Sequence, residues 1–312
     1  MTLDDQTQSF LEKVRAAGLP DIAEQGPKLA RIYSHLDPDS SGPIDKSVDI
    51  SFEFFTSSTA DLVVAIYKPE TKNAELRPAM VYFHGGGWVI NYIGKYHAQL
   101  AALAKETNSI IVSVNYQKAP EHKFPIPFND CYEGLEWTVV NAQRLGIDVN
   151  RLGVGGDSAG GNLASAVALA CRDRGQIKLA YQLLIYPCNG PEFVDSADVP
   201  NATGFGLTQR GMKWLWDMYL SGPADRKNPY AVPHCAASFN DLPPTILITA
   251  EYDVLREDGI AYYKKLIDAG NQVRYRDWPG MIHGFFNLGK YIDEGINIRN
   301  WFTQQIIDIV GK

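Results

Sequence analysis

The sequence predicts an α/β protein, with a mostly parallel central sheet and helices on both faces. Three observations carry that prediction. Short apolar runs without clean alternation recur along the chain: AMVYF, SIIVSVNY, RLGVGG, YQLLIYP, TILITAEYD and QVRYRDWP. Helical patterns at 96–107, 130–145, 159–173, 257–269 and 293–310 lie between or after them. Strands buried on both faces and alternating with helices are the signature of βαβ units. Finally, 312 residues with 45% hydrophobic and 21% charged content can bury a large core.

Taken in order, residues 5–36 carry two short helical patterns broken at Gly18-Leu19-Pro20, and DPDSSGP (37–43) is a loop by composition. VDISFEFFT and DLVVAIYKP alternate and predict an antiparallel pair at a sheet edge. The βαβ units follow. Residues 189–225 interrupt them with a long loop and an aromatic-rich helix, TQRGMKWLWDMYL. That is too much chain for a simple crossover. It reads as an insertion over the sheet's edge. The expected organisation is therefore cap helices in 1–45 and the main α/β domain in 46–312, with a cap insertion at about 189–225.

Charge and composition exclude several functions. The net charge of −7 argues against nucleic acid or an anionic membrane as a main partner. No apolar run approaches the roughly 20 residues needed to span a bilayer. The polar N-terminus, MTLDDQTQSF, does not read as a signal peptide. The four cysteines, Cys131, Cys171, Cys188 and Cys235, form no CxxC pair and read as reduced, mostly buried thiols of a cytoplasmic protein. Neither HExxH nor a Cys/His cluster occurs, so no metal is expected, and no organic cofactor is implied. An open edge at the C-terminal strand could pair between subunits, giving a homodimer.

The strongest chemical signal is VGGDSAGGN, which holds G-x-S-x-G as Gly156-Asp157-Ser158-Ala159-Gly160. It follows a strand pattern and opens an alanine-rich helix, the setting of a nucleophile elbow. Serine is a weak nucleophile at its own pKa and needs a base. Of six histidines, His283 in PGMIHGFF lies just past the last strand, in a loop on the elbow's side of the sheet. A carboxylate must then orient the imidazole. Asp253 directly follows TILITAEY, with Glu251 in reserve, and Asp258 should sit in the next helix. The order Ser158, Asp253, His283 is that of α/β-hydrolases. Acyl transfer also needs donors for the developing oxyanion. Ala159 N–H is one candidate, and the three glycines of HGGGW (84–88) offer others without a Cβ in the way.

HGGGW with GDSAGGN (156–162) resembles the hormone-sensitive-lipase family of α/β-hydrolase carboxylesterases. NYQKAPEHKFP (115–125), LLIYP (183–187), DVLRED (253–258) and HGF (283–285) support the match. The resemblance implies the α/β-hydrolase fold, with Ser158 as nucleophile, His283 as base and Asp253 as its orienter. It implies an oxyanion hole from the glycine loop and Ala159. Gly86 is the best donor, with either Gly85 or Gly87 as the second. Trp88, Phe205, Trp214, Leu255 and Phe285 are candidate pocket walls. His84 and Asp157 are expected to brace the loop. Gln117 and Lys118 depart from the family, whose members usually carry an arginine and a leucine there. The activity implied is hydrolysis of short- to medium-chain acyl esters. An amide or aryl-acetamide bond is the alternative, and a non-catalytic ligand receptor is disfavoured because His283 is present.

Overall fold

In the computed structural model, residues 2–70 and 75–311 are described. The chain begins with α1 (Asp5–Ala16) and α2 (Ile22–Ser34), each opened by an aspartate, Asp4 or Asp21, whose carboxylate accepts first-turn N–H groups. Two strands follow, β1 (Val48–Thr56) and β2 (Asp61–Pro69), paired antiparallel as the alternation predicts. Then come β3 (Arg77–Phe83), α3 (His97–Thr107), β4 (Ile110–Val114), α4 (Ile126–Val140), α5 (Ala142–Leu145) and β5 (Ile147–Asp157). The single helical pattern expected at 130–145 is thus two helices. They are separated at Asn141, whose side-chain amide turns back to the Trp137 carbonyl.

The second half runs α6 (Ala159–Arg174), β6 (Tyr181–Ile185), α7 (Glu192–Asp195), α8 (Gln209–Tyr219), β7 (Thr245–Tyr252), α9 (Arg256–Asp268), β8 (Val273–Ile282) and α10 (Glu294–Val310). The eight strands form one sheet in the order β1-β2-β4-β3-β5-β6-β7-β8. β2 is antiparallel to both its neighbours, and every pairing from β4 to β8 is parallel. The carboxyl ends of β3, β5, β7 and β8 therefore open on the same side, as they must for their loops to meet.

Each sheet face carries its own apolar cluster. One holds side chains of α4, α6, α8 and α9, and the other those of α3 and α10. All thirteen residues from Ala159 to Cys171 in α6 are buried. A helix buried all round needs small residues to approach the sheet. Gly160 supplies the closest approach, since a Cβ there would overlap the Phe83 carbonyl oxygen.

Residues 189–225 are fixed at several points, among them Lys123 Nζ on the Asp217 and Leu220 carbonyls. The N–H groups of Asn189 and Gly190 both donate to Asp258 Oδ2, at 2.8 and 3.0 Å. Asn201 Nδ2 reaches the Glu251 carbonyl at 3.0 Å. α8 lies against α2, where Thr208 donates to Asp21 and Arg210 pairs with Glu24.

Candidate active site

Ser158 sits between β5 and α6 with φ 55° and ψ −121°, a backbone that L-residues rarely adopt. The turn is tight enough that a Cβ on Gly156 would collide with the Gly160 carbonyl. The side chain is thereby lifted off the end of the strand, and Ser158 is 7% exposed. Its Oγ lies 2.9 Å from His283 Nε2, and His283 Nδ1 lies 2.7 Å from Asp253 Oδ2. An ionised carboxylate only accepts, so the proton on the ring belongs at Nδ1 and the Nε2 lone pair faces the serine. Asp253 also accepts from Leu255 N–H at 2.9 Å, so its carboxylate is held from two sides. The serine, histidine and aspartate singled out in the sequence thus lie within one hydrogen-bonded chain. Glu251 is occupied elsewhere: its carboxylate takes Gly280 N–H at 2.8 Å and ties β7 to the end of β8.

The glycine loop leaves β3 at His84. Gly86 and Gly87 have φ of 117° and 57°, and Val89 and Ile90 both donate back to the Gly86 carbonyl. Neither Gly86 N–H nor Gly87 N–H has an acceptor among the described residues, and the same holds for Ala159 N–H. Gly85 differs. Its N–H donates to Asp157 Oδ1 at 2.8 Å and also points at Tyr96 Oη at 3.0 Å. This corrects the expectation that Gly85 could serve as an oxyanion donor, because its hydrogen is already spent inside the protein.

Asp157 is the anchor of that loop. It accepts from Tyr82 Oη, Gly85 N, Tyr96 Oη and Asn287 Nδ2. Burial raises its carboxyl above the ordinary value, and hydrogen bonds from Tyr82, Gly85 and Tyr96 oppose the rise. Four donors on one carboxylate favour the anion. Asn287 lies four residues past His283, so Asp157 links the glycine loop to the histidine loop. Tyr82, Tyr96 and Asn287 were not legible as site residues, since none lies in a motif. His84 is fully buried, stacks on Tyr116 at 4.4 Å and shares a 2.8 Å hydrogen bond with the Gly85 carbonyl. Burial depresses its pKa to about 3, so the ring is neutral.

Three expected pocket walls are corrected. Trp88 and Phe285 are 0% exposed and Leu255 is 1% exposed. Trp88 stacks on Tyr219 at 4.2 Å, and Phe285 packs between Tyr186 and Trp278, so these aromatics fill core. Phe205 and Trp214 are half-buried in the 189–225 segment. Phe205 leans on Tyr252 with ring centroids 5.1 Å apart. The cysteines are free, with Cys131, Cys171 and Cys188 buried and Cys235 exposed. Among the described residues no group of three or more His, Cys, Asp or Glu could hold a metal, and no helix is long and apolar enough to cross a membrane.

A strained serine at a strand–helix turn, beside a histidine–aspartate pair and a glycine loop, defines a class. Residues 80–287 match a family model described as α/β hydrolase fold, and the chain belongs to that family, the hormone-sensitive-lipase type of α/β hydrolase. The comparison extends to characterised relatives. Carboxylesterase NlhH of Mycobacterium tuberculosis is 36% identical over 241 residues, covering 74% of this chain and 73% of its own. An ethyl acetate hydrolase of Pseudomonas putida is 30% identical over 304 residues, covering 94% and 95%. Among solved structures, the ester hydrolase EH1AB1 from the Lake Arreo metagenome superposes with a TM-score of 0.93 at 32% identity, covering all of both chains. The protein is a carboxylic ester hydrolase of the serine type.

Proposed function

We propose that the enzyme hydrolyses short- to medium-chain acyl esters through an acyl-enzyme on Ser158. The observation that carries this reading is the unbroken chain from Asp253 through His283 to Ser158, with bonds of 2.7 and 2.9 Å. Ser158 Oγ attacks the ester carbonyl carbon as His283 Nε2 takes its proton, and Asp253 stabilises the imidazolium. The negative oxygen of the tetrahedral intermediate is received by the N–H groups of Gly86, Gly87 and Ala159. The intermediate collapses, the carbon–oxygen bond to the alcohol breaks, and His283 returns the proton to the leaving group. Water, deprotonated by the same imidazole, then attacks the acyl-enzyme and releases the acid.

The N-terminal helices and residues 189–225 serve in this reading as a cap, with Phe205 and Trp214 on the side of the substrate. The aromatic packing of Trp88, Trp216 and Tyr219 behind the glycine loop supports a preference for shorter acyl chains. NlhH and the ethyl acetate hydrolase, both named for ester cleavage, fit the same reading. The test is a p-nitrophenyl ester series from acetate to octanoate, with matched anilides alongside. Turnover should favour the shorter esters over longer ones and over anilides, and Ser158→Ala should abolish it. Undiminished activity in Ser158→Ala would sink the proposal.

A further inference from the structure

Lys118, one of the two departures from the family's usual sequence, lines a cavity of about 500 Å³ between α2 and the loops that follow β3 and β4. Arg31, His35, Asn91, Glu121 and His122 line it too. The charges there do not cancel. Arg31 grips Glu121 with two N–H···O bonds, at 2.9 and 2.6 Å, and spends further hydrogens on the carbonyls of Val89 and Ala119. That pair is neutral as a unit. Lys118 is left over. Its ammonium forms no ion pair among the described residues. It has two long contacts, 3.3 Å to Asn115 Oδ1 and 3.4 Å to the Tyr116 carbonyl, and lies 5.8 Å from the centre of the Tyr116 ring. A half-buried cation whose direct contacts are weak and neutral, with Asp130 acting on it only at longer range, is costly, and a carboxylate would relieve the cost.

We propose that this cavity binds a small carboxylate, with Lys118 as the residue that holds it. The inference deepens the esterase reading, because the site adjoins the reaction machinery. Asn91, on the cavity wall, donates to the Gly85 carbonyl at 3.3 Å. Asn91 thus joins the wall of this cavity to the glycine loop. The source of the carboxylate is either the free end of a dicarboxylic hemi-ester substrate or a separate small acid that tunes the loop. His35, stacked on Tyr92 at 4.3 Å, and His122 complete the rim, with His35 Nδ1 already donating to the Arg31 carbonyl. Desolvation and the neighbouring Arg31 bring the Lys118 ammonium down to about 8. Asp130 on α4 opposes that fall, and His84, Tyr92, Tyr116, Glu121, His122 and His35 are other titratable groups around it. Anion binding needs the protonated form, so affinity should fall as pH rises through about 8.

The experiment is calorimetric titration of succinate into the intact protein at pH 7 and pH 9, in wild type, Lys118→Met and Lys118→Arg. Saturable binding is expected in wild type at pH 7. It should weaken about tenfold in Lys118→Met, as for loss of one charge-assisted hydrogen bond, and at pH 9, and Lys118→Arg should restore most of it at both pH values. Circular dichroism melts establish that each variant is folded. Repeating the titration on Ser158→Ala separates this proposal from the catalytic one, because binding there should persist whether or not the serine is the nucleophile. Rates on monoethyl succinate against ethyl valerate then assign the occupant. A hemi-ester preference that vanishes in Lys118→Met places the carboxylate on the substrate, while equal rates with intact succinate binding make it a separate ligand. Absent saturable succinate binding in wild type, or equal binding in folded Lys118→Met, overturns the site.

Discussion

The molecule contains two histidine–aspartate pairs with buried carboxylates that look alike on paper. His283 and Asp253 are 2.7 Å apart, His234 and Asp258 are 2.8 Å apart, and both carboxylates are sealed from solvent. Both pairs lie near the carboxyl end of β7 and the start of α9, and each histidine has an aromatic ring 4.8 Å from its own, Tyr186 or Phe193. The difference is at the second ring nitrogen. In His283 the carboxylate sits on Nδ1, and Nε2 is free to meet Ser158. In His234 the carboxylate sits on Nε2, and Nδ1 has no partner among the described residues. Asp258 also carries the N–H groups of Asn189 and Gly190, which makes that pair a fastening for the 189–225 segment. A histidine–carboxylate pair is therefore not a catalytic signature by itself. What the other nitrogen faces, and whether solvent can reach it, decides the role: the His283 side chain is 12% exposed and that of His234 only 1%.

Removing each histidine gives the largest contrast. His283→Ala should lower kcat on p-nitrophenyl acetate by on the order of 10⁴-fold or more, with little change in melting temperature. His234→Ala should keep most of the activity but lose about 3 kcal/mol of stability, because Asp258 is left as a buried charge without its partner. Steady-state kinetics and urea melts on both variants measure this. The comparison breaks if His234→Ala is as inactive as His283→Ala while still folded.

The aspartates sharpen it at a smaller scale. Asp253→Asn keeps the shape but favours the wrong imidazole tautomer, which should cost about 10⁴-fold in kcat with the fold intact. Asp258→Asn cannot offer both oxygens to its three donors. It should cost about 1–3 kcal/mol of stability, with kcat changing far less than in Asp253→Asn. A thermal melt and a kcat measurement on each variant suffice. If Asp258→Asn loses activity without losing stability, the 189–225 segment governs catalysis and is more than a fastened cover.

The strands and the nucleophile turn were legible because each has a local cause. Two-sided burial writes unbroken apolar runs such as AMVYF, and a tight strand–helix turn demands Gly156 and Gly160 around Ser158. The order of Ser158, Asp253 and His283 was legible because topology alone brings the ends of β5, β7 and β8 together. The free donors of the glycine loop were not. Three adjacent glycines are equivalent as letters, and only the fold shows that Asp157 and Tyr96 engage the first of them. Nor could the sequence tell a pocket wall from core: Trp88 lies beside the loop in the chain, yet its ring turns away onto Tyr219. Asp258 read as a helix-terminal acid because its partners, Asn189 and His234, are 69 and 24 residues away.

A third histidine, fully buried, completes the series and gives the smallest expected effect. His84 has a backbone carbonyl, that of Gly85, where the other two have a carboxylate, and its Nε2 meets no partner among the described residues. Without a counter-ion, burial holds its pKa at about 3, against 6.5 for a solvated histidine. The sign follows from proton uptake. Below about pH 6.5 the unfolded chain binds a proton at this position and the native protein does not, so stability falls as pH drops. The contribution grows by at most about 1.4 kcal/mol per pH unit and levels off only near pH 3. Carboxylates elsewhere add slopes of their own, so the quantity to measure is a difference. Urea melts of wild type and His84→Asn between pH 6.5 and 4.5 should show a shallower decline in the variant, whatever its baseline loss. Parallel slopes would mean that His84 is protonated in the native protein. The carbonyl of Gly85 would then be doing for His84 what Asp253 does for His283.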